Sequence, residues 1–151
     1  MTKRLARLLE HEVGVDVRFT RTADYFVPLR DRTSFANAQR ADLFLSIHVN
    51  YVPNSGPRGF EVWVRRGDRA SRELASYIRG EMNRAIATED RGIKDDRALY
   101  VLRNTSCPAA LVEVGFISHP SEERLLLDPV HRQRLAGVLA ESVRKYLAAR
   151  R

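Results

Sequence analysis

Hydrophobic and polar positions along the chain follow two spacings, one typical of strands and one typical of helices. Strict alternation or a short apolar run predicts strands at residues 15–21, 42–47, 60–65, 98–102 and 109–118. Apolar stripes at helical spacing predict helices at residues 1–12, 28–40, about 69–86, 121–127 and 129–147. Asp68 and Asp128 are expected to cap the helices that follow them, and Leu29 is expected on the inner side of helix 28–40. No repeat or linker interrupts this alternation. The pattern therefore predicts one α/β domain over residues 1–151, with a mostly parallel or mixed sheet and helices on both faces.

Two stretches of the chain carry more specific expectations. The apolar run 42–47 predicts a strand that is buried on both faces and delivers His48, Val49 and Asn50 at its carboxyl end. The polar stretch 88–97, with Gly92 inside it, predicts a mobile loop. In open α/β sheets, ligands bind beyond the carboxyl ends of strands, so His48 and Asn50 lie where a functional site is expected.

The most unusual strand, 109–118, is an apolar run with one carboxylate, Glu113, in its middle. An ionised carboxylate in a buried strand is costly unless it has a partner. An arginine partner would make Glu113 purely structural, whereas a catalytic role would use its raised proton affinity. The residue alone leaves both interpretations open.

Composition narrows the classes of function. A chain of 151 residues with 44% hydrophobic residues is long enough for one buried core, and no apolar run reaches transmembrane length. The net charge of +7 favours polyanionic partners such as nucleic acid, anionic lipid or anionic cell-wall polymers. The arginines are dispersed and not interleaved with aromatic residues, so a nucleic-acid partner is not expected. The single Cys107 excludes an intrachain disulfide and is read as a small packed residue.

His48 and Glu113 share one kind of position, although they lie 65 residues apart in the sequence. Each is at or near the carboxyl end of a very apolar strand, and the sheet topology can bring such ends together. Histidine offers a neutral nitrogen to zinc, and glutamate offers a base that can take a proton from a metal-bound water. Burial would raise the pKa of Glu113, which suits such a base. For His48 alone, a hydrogen-bonded histidine at a strand end is the alternative.

Several motifs resemble the zinc-dependent N-acetylmuramoyl-L-alanine amidases, and they occur in that family's order over essentially the whole chain. The most specific are Ser46-Ile47-His48-Val49-Asn50 and Val112-Glu113-Val114-Gly115-Phe116-Ile117-Ser118. The others are Arg18-Phe19-Thr20-Arg21-Thr22-Ala23-Asp24, Leu29-Arg30-Asp31-Arg32, Ala36-Asn37, Arg91-Gly92-Ile93-Lys94 and Tyr100-Val101-Leu102-Arg103.

The resemblance implies the amidase catalytic fold and cleavage of the amide between N-acetylmuramic acid and L-alanine in peptidoglycan. It implies one Zn²⁺ held by two histidines and a glutamate, with His48 matching the second histidine and Glu113 matching the catalytic glutamate. Asn50 and Arg97 are candidate substrate contacts. Peptidoglycan is the implied partner, and the periplasm or the extracellular cell wall is the implied location, although the residues after Met1 form a helix pattern rather than an export signal.

One part of the family pattern has no counterpart here. The family's first strand ends in a Gly-His-Gly-Gly type of turn that carries the first histidine ligand, and its glutamate ligand follows. This chain begins within the next helix, so the expectation is an N-terminally truncated domain that binds zinc poorly and has little activity. The alternative is a non-catalytic relative that binds peptidoglycan or regulates other amidases. A retained Glu113 argues for the hydrolase, because a pure binder needs no base.

Overall fold

The computed structural model describes residues 1–13, 15–96 and 98–150, and for residues 12 and 13 it describes only the backbone. In chain order the elements are α1 (Thr2–Leu8), a π-helical turn (Leu9–Val13), α2 (Leu29–Ala38), β1 (Phe44–Asn50), β2 (Phe60–Arg65), α3 (Arg69–Ala85), β3 (Asp90–Asp96), α4 (Tyr100–Asn104), β4 (Ala109–Phe116), α5 (Pro120–Leu127) and α6 (Pro129–Ala148).

The four described strands form one mixed sheet in the order β1-β4-β2-β3. β1 runs parallel to β4, and β3 runs parallel to β2, while β2 and β4 are antiparallel to each other. The predicted α/β class with a mostly parallel or mixed sheet is confirmed. β4, the strand predicted from its apolar run around Glu113, lies inside the sheet between β1 and β2.

Helices pack on both faces of the sheet, as the sequence predicts. The larger core cluster joins α1, α3 and α6 to inward side chains of β2 and β4, including Phe60, Val62 and Val112. The smaller cluster lies on the opposite face and joins α2 and α4 to Phe44 and Leu111. Because side chains alternate along a strand, Glu113 lies on the same face as Leu111, which is the face of the smaller cluster.

The predicted strand at residues 15–21 is wrong, because the structure has no strand there. Val15 and Val17 still pack against the larger core cluster, so the apolar alternation correctly predicts which side chains face inward. Residues 15–19 instead line a groove of about 770 Å³ that Leu45 of β1 also lines. A strand needs a hydrogen-bonded neighbour, and no described strand of the sheet pairs with this segment.

Two predictions near residue 97 are also wrong. The stretch 88–97 contains strand β3 instead of a mobile loop, and its polar sequence is explained by its edge position beside β2. The apolar run 98–102 contributes to helix α4 instead of a strand. The Asp96 carboxylate accepts hydrogen bonds from the backbone N–H groups of Ala98 and Leu99 just before α4. Val101 and Leu102 of α4 are buried in the smaller core cluster.

Strand β1 and helix α2 differ from expectation in detail. β1 is an edge strand in the described sheet, so of its seven residues only Phe44 is buried, whereas a strand buried on both faces was predicted. Helix α2 buries Thr33 and Ala36, but Leu29, predicted to face inward, is exposed. Pro28 is the residue before the first turn and not within it. The predicted caps at Asp68 and Asp128 are confirmed, since each carboxylate accepts a backbone N–H of the helix that follows.

Candidate active site

A row of three ionisable side chains crosses the sheet on the face of the smaller core. His48 of β1 is the register partner of Glu113 in β4, and Glu113 is in turn the register partner of Glu61 in β2. Register partners on neighbouring strands point to the same face of a sheet, with Cα atoms roughly 4.5–5.5 Å apart. The structure therefore brings together His48 and Glu113, as the sequence predicts, and adds Glu61 to them.

Glu113 is placed where a carboxylate is hard to ionise. Its Oε2 atom is buried and has no hydrogen-bond partner among the described residues. Burial, and secondarily the negative charge of Glu61, raises the pKa of Glu113 to about 7. No described arginine or lysine lies within 4.0 Å of this carboxylate, so the purely structural interpretation of Glu113 as half of an ion pair is not supported. A carboxylate with a pKa near neutrality can accept and return a proton.

Glu61 differs from Glu113 because it is buried with several donors around it. Its Oε1 accepts hydrogen bonds from Asn50 Nδ2 at 3.1 Å and from Trp63 Nε1 at 3.0 Å, and its Oε2 lies 3.3 Å from Arg91 Nε. The Arg91 guanidinium also lies over the Phe116 ring, 5.1 Å from the centroid. Sequence reasoning missed Glu61, although it shows the same signal as Glu113, a single carboxylate inside an apolar strand.

His48 lies at the exposed carboxyl end of β1. Its Nε2 atom is 2.9 Å from the Ser46 hydroxyl oxygen. Burial, together with the positive charges of Arg32 and Arg21, lowers the pKa of His48. A lowered pKa favours the neutral ring, which is the form that binds metals.

Asn50 is the last residue of β1, and both ends of its side-chain amide are occupied within the protein. Nδ2 donates to Glu61, and Oδ1 accepts the backbone N–H of Tyr51 at 2.8 Å. Its backbone oxygen accepts the N–H of Ile117 at 2.8 Å, just beyond β4. Asn50 thus links the ends of β1 and β4 to Glu61. Arg97, the other candidate substrate contact, lies outside the described residues.

The side chains in this row are of types that bind zinc, but they are too few to form a zinc site. His48 offers a ring nitrogen, and the unpartnered Oε2 of Glu113 offers an acceptor beside it. Zinc sites in enzymes use three protein ligands and one open position. Within residues 1–13, 15–96 and 98–150, no group of three or more His, Cys, Asp or Glu side chains could hold a metal ion. The described residues alone therefore do not complete a zinc site.

A second buried carboxylate, Glu122 at the start of α5, holds the strand ends around the site. Its Oε1 accepts the Gly59 N–H at 2.7 Å and the Thr88 hydroxyl at 2.8 Å, and its Oε2 accepts the Phe116 N–H at 2.7 Å. These donors lie just before β2, just before β3 and at the end of β4. Glu122 consequently fixes three of the four strands relative to one another at the edge of the site.

The sequence of this chain is similar to those of known proteins. The model of the N-acetylmuramoyl-L-alanine amidase family matches residues 1–145. The amidase AmiA of Escherichia coli (strain K12) is 31% identical over 177 residues, with 88% of this chain and 61% of that protein covered. A germination-specific N-acetylmuramoyl-L-alanine amidase of Bacillus subtilis (strain 168) is also 31% identical, with 78% of this chain and 50% of that protein covered.

Solved structures show the same fold. An N-acetylmuramoyl-L-alanine amidase from Clostridium difficile 630 superposes with a TM-score of 0.94 at 33% identity, with 99% of this chain and 81% of that chain covered. The catalytic domain of CwlV from Paenibacillus polymyxa gives a TM-score of 0.90 at 32% identity, with 97% and 80% covered. This chain spans 61% and 50% of the lengths of the two curated relatives named above. No described helix is long and apolar enough to cross a bilayer. The chain belongs to the N-acetylmuramoyl-L-alanine amidase family.

Proposed function

We propose that this chain carries catalytic residues of a peptidoglycan hydrolase that cleaves the amide between the lactyl group of N-acetylmuramic acid and L-alanine. The observation that carries the proposal is the position of Glu113, whose buried and unpartnered Oε2 lies on the strand next to His48. Membership of the amidase family, and the names of its relatives, support the same reaction. The non-catalytic alternative leaves the raised pKa of Glu113 without a use.

In this proposal Glu113 is the general base and then the general acid. It takes a proton from the attacking water and returns it to the leaving nitrogen of L-alanine, for which a pKa of about 7 is suited. His48 is proposed as one zinc ligand. Zinc, when bound, supplies polarisation of the amide carbonyl and a more acidic water. The neutral ring favoured at His48 is consistent with that role.

Substrate contact is proposed for Asn50 and for Arg97. Asn50 would act as part of the site wall, because its amide is held by Glu61 and by the Tyr51 N–H.

The substrate, peptidoglycan, places the proposed activity in the periplasm or the extracellular cell wall. The cell-wall amidases among the relatives support this location, and residues 1–151 are proposed as part of the amidase catalytic domain.

The test is release of stem peptide from a muramoyl-peptide substrate, followed by chromatography with zinc in large excess. Glu113→Ala should reduce the release rate by roughly 10²–10⁴-fold, the usual contribution of a general base. Glu10→Ala is the matched control. Glu10 is an exposed carboxylate in the π-helical turn after α1, so its replacement should leave the release rate unchanged. Equal release rates for the unaltered chain and Glu113→Ala would contradict the proposal, because a general base that is removed must slow the reaction.

A further inference from the structure

The charges around the row are unequally distributed across the sheet. Towards β2 and β3 lie the carboxylates of Glu61 and Glu89, with Arg91 paired to both at 3.3 and 3.8 Å. Near His48 the positive charges of Arg32 and Arg21 act on the imidazole. The carboxylates towards β2 and β3 are therefore paired with arginine, whereas guanidinium groups without a described anionic partner lie near His48.

Topology places Arg32 at the level of His48. The connection from α2 to β1 is only residues 39–43, and the Ala41 N–H bonds back to the Ala36 carbonyl. Such a short connection makes α2 run back against the direction of β1, so its first turn lies near the carboxyl end of that strand. Arg32 belongs to this first part of α2, and His48 is close to the end of β1.

Both arginines are oriented by the loop that precedes α2. Arg32 Nε donates to the Val27 carbonyl at 2.9 Å, and Arg21 Nη1 donates to the Tyr25 carbonyl at 3.4 Å. Between these two carbonyls lies Phe26, which is 81% exposed. The backbone carbonyls of this loop thus orient both guanidinium groups.

Neither arginine has an anionic partner in the described structure. No described carboxylate oxygen lies within 4.0 Å of either guanidinium, even though Asp24 and Asp31 are close in sequence. Arg32 is also partly buried. A guanidinium stays charged at every relevant pH, so partial burial without a counter-ion is costly until an anion binds. Its planar set of N–H donors matches a carboxylate with two parallel hydrogen bonds.

We propose that Arg21 and Arg32 form a subsite for a carboxylate of the muropeptide ligand, a binding role that rests on the proposed function. Hydrolysis adds the water oxygen to the lactyl carbonyl carbon, breaks the carbon–nitrogen bond and transfers a proton to the amine. The products are a lactyl carboxylate and a free peptide amine. The subsite would hold a carboxylate on the β1 side, while the amine lies towards Glu113 and Glu61.

Two carboxylates could occupy the subsite, one on the lactyl group and one on the stem peptide. The experiment therefore has two arms, each with a charged ligand and a neutral counterpart. The first arm compares N-acetylmuramic acid with its lactyl methyl ester. The second compares an alanyl-glutamate dipeptide with its fully amidated form. Binding is measured by NMR titration of the chain in the presence of a chelator, so no turnover or metal is needed.

In at least one arm the carboxylate ligand should bind about tenfold more tightly than its neutral counterpart, as a charge-assisted hydrogen bond predicts. Arg32→Met should abolish this preference, Arg21→Met should reduce it, and Arg32→Lys should restore part of it. Arg30→Met is the matched control, because Arg30 is exposed on α2 and lies two residues away, on the opposite side of the helix. Arg21→Met changes only an exposed loop residue and serves if Arg32→Met fails to fold.

The arm that shows the preference identifies which carboxylate binds. Equal affinity for the charged and neutral ligands in both arms would overturn the proposal. An equal loss of preference in Arg30→Met and Arg32→Met would do the same, because it would indicate a general effect of positive charge. Glu113→Ala should keep the carboxylate preference. The binding experiment therefore tests the carboxylate subsite independently of the release assay, which tests hydrolysis.

Discussion

Replacement of Glu113 by glutamine is expected to change how the stability of this protein depends on pH. In the folded chain the pKa of Glu113 is raised from 4.5 to about 7, first by burial and then by Glu61. Between these two values the folded state keeps a proton that the unfolded state has released. The free energy of unfolding of the unaltered chain therefore falls as pH rises from about 4.5 to 7. Glu113→Gln has no carboxyl group to titrate and lacks this loss.

The size of the effect follows from the same two values. Their difference corresponds to about 3 kcal/mol if the carboxylate is fully shielded from water. Glu113 is only partly buried as a residue, so solvent screening reduces the expected gain of Glu113→Gln to about 1–2 kcal/mol at pH 8. At pH 4 the two proteins should be almost equally stable, because both then carry a neutral side chain.

The assay is urea unfolding at pH 4, 6 and 8 in the presence of a chelator, with the midpoint compared at constant slope. Glu10→Gln is the control, since it removes an exposed carboxylate and should give no pH-dependent difference. The prediction would be refuted if the difference in unfolding free energy between the unaltered protein and Glu113→Gln stayed constant from pH 4 to pH 8. Such a result would mean that Glu113 ionises normally, and its proposed role as a base near neutral pH would lose its physical support.

Three further outcomes are expected. Glu122→Ala leaves the N–H groups of Gly59 and Phe116 without their acceptor, so urea unfolding should show a loss on the order of 3 kcal/mol or more. Asp68→Ala removes the cap of α3 and should cost about 1 kcal/mol in the same assay, and a neutral result would contradict the cap. Zinc should bind weakly, because the described residues hold no group of three ligands; equilibrium dialysis that shows a tight, saturated 1:1 complex would contradict this.

Elements with a long, periodic apolar face were predictable from the sequence alone. The faces of α3 and α6 follow helical spacing, with Leu74, Ile78 and Leu139 completely buried as predicted. The caps at Asp68 and Asp128 are local hydrogen bonds between neighbouring residues, so sequence spacing was sufficient to predict them. The apolar run that became β4 was equally clear, because a strand inside the sheet is covered on both faces.

Elements whose structure depends on a distant partner were predicted wrongly. β3 is polar, and it is a strand only because β2 offers it hydrogen bonds from residues about 30 positions earlier. Residues 15–21 alternate as a strand does, yet no described strand pairs with them in the sheet. Pairing of this kind is non-local, so the apolar pattern of a single segment cannot report it.

Some features of the candidate site were likewise set by the sequence alone, and others by the tertiary structure. The sequence by itself determined the family, the two motifs around His48 and Glu113, and the prediction that burial would raise the pKa of Glu113. Only the tertiary structure decided that these residues share a row with Glu61, because strand order and register fix which side chains are neighbours. It also decided that Glu113 has no ion-pair partner among the described residues, whereas Glu61 has Arg91. Sequence sets the chemical character of each side chain, and the contacts made by the folded sheet set its charge state and its partners.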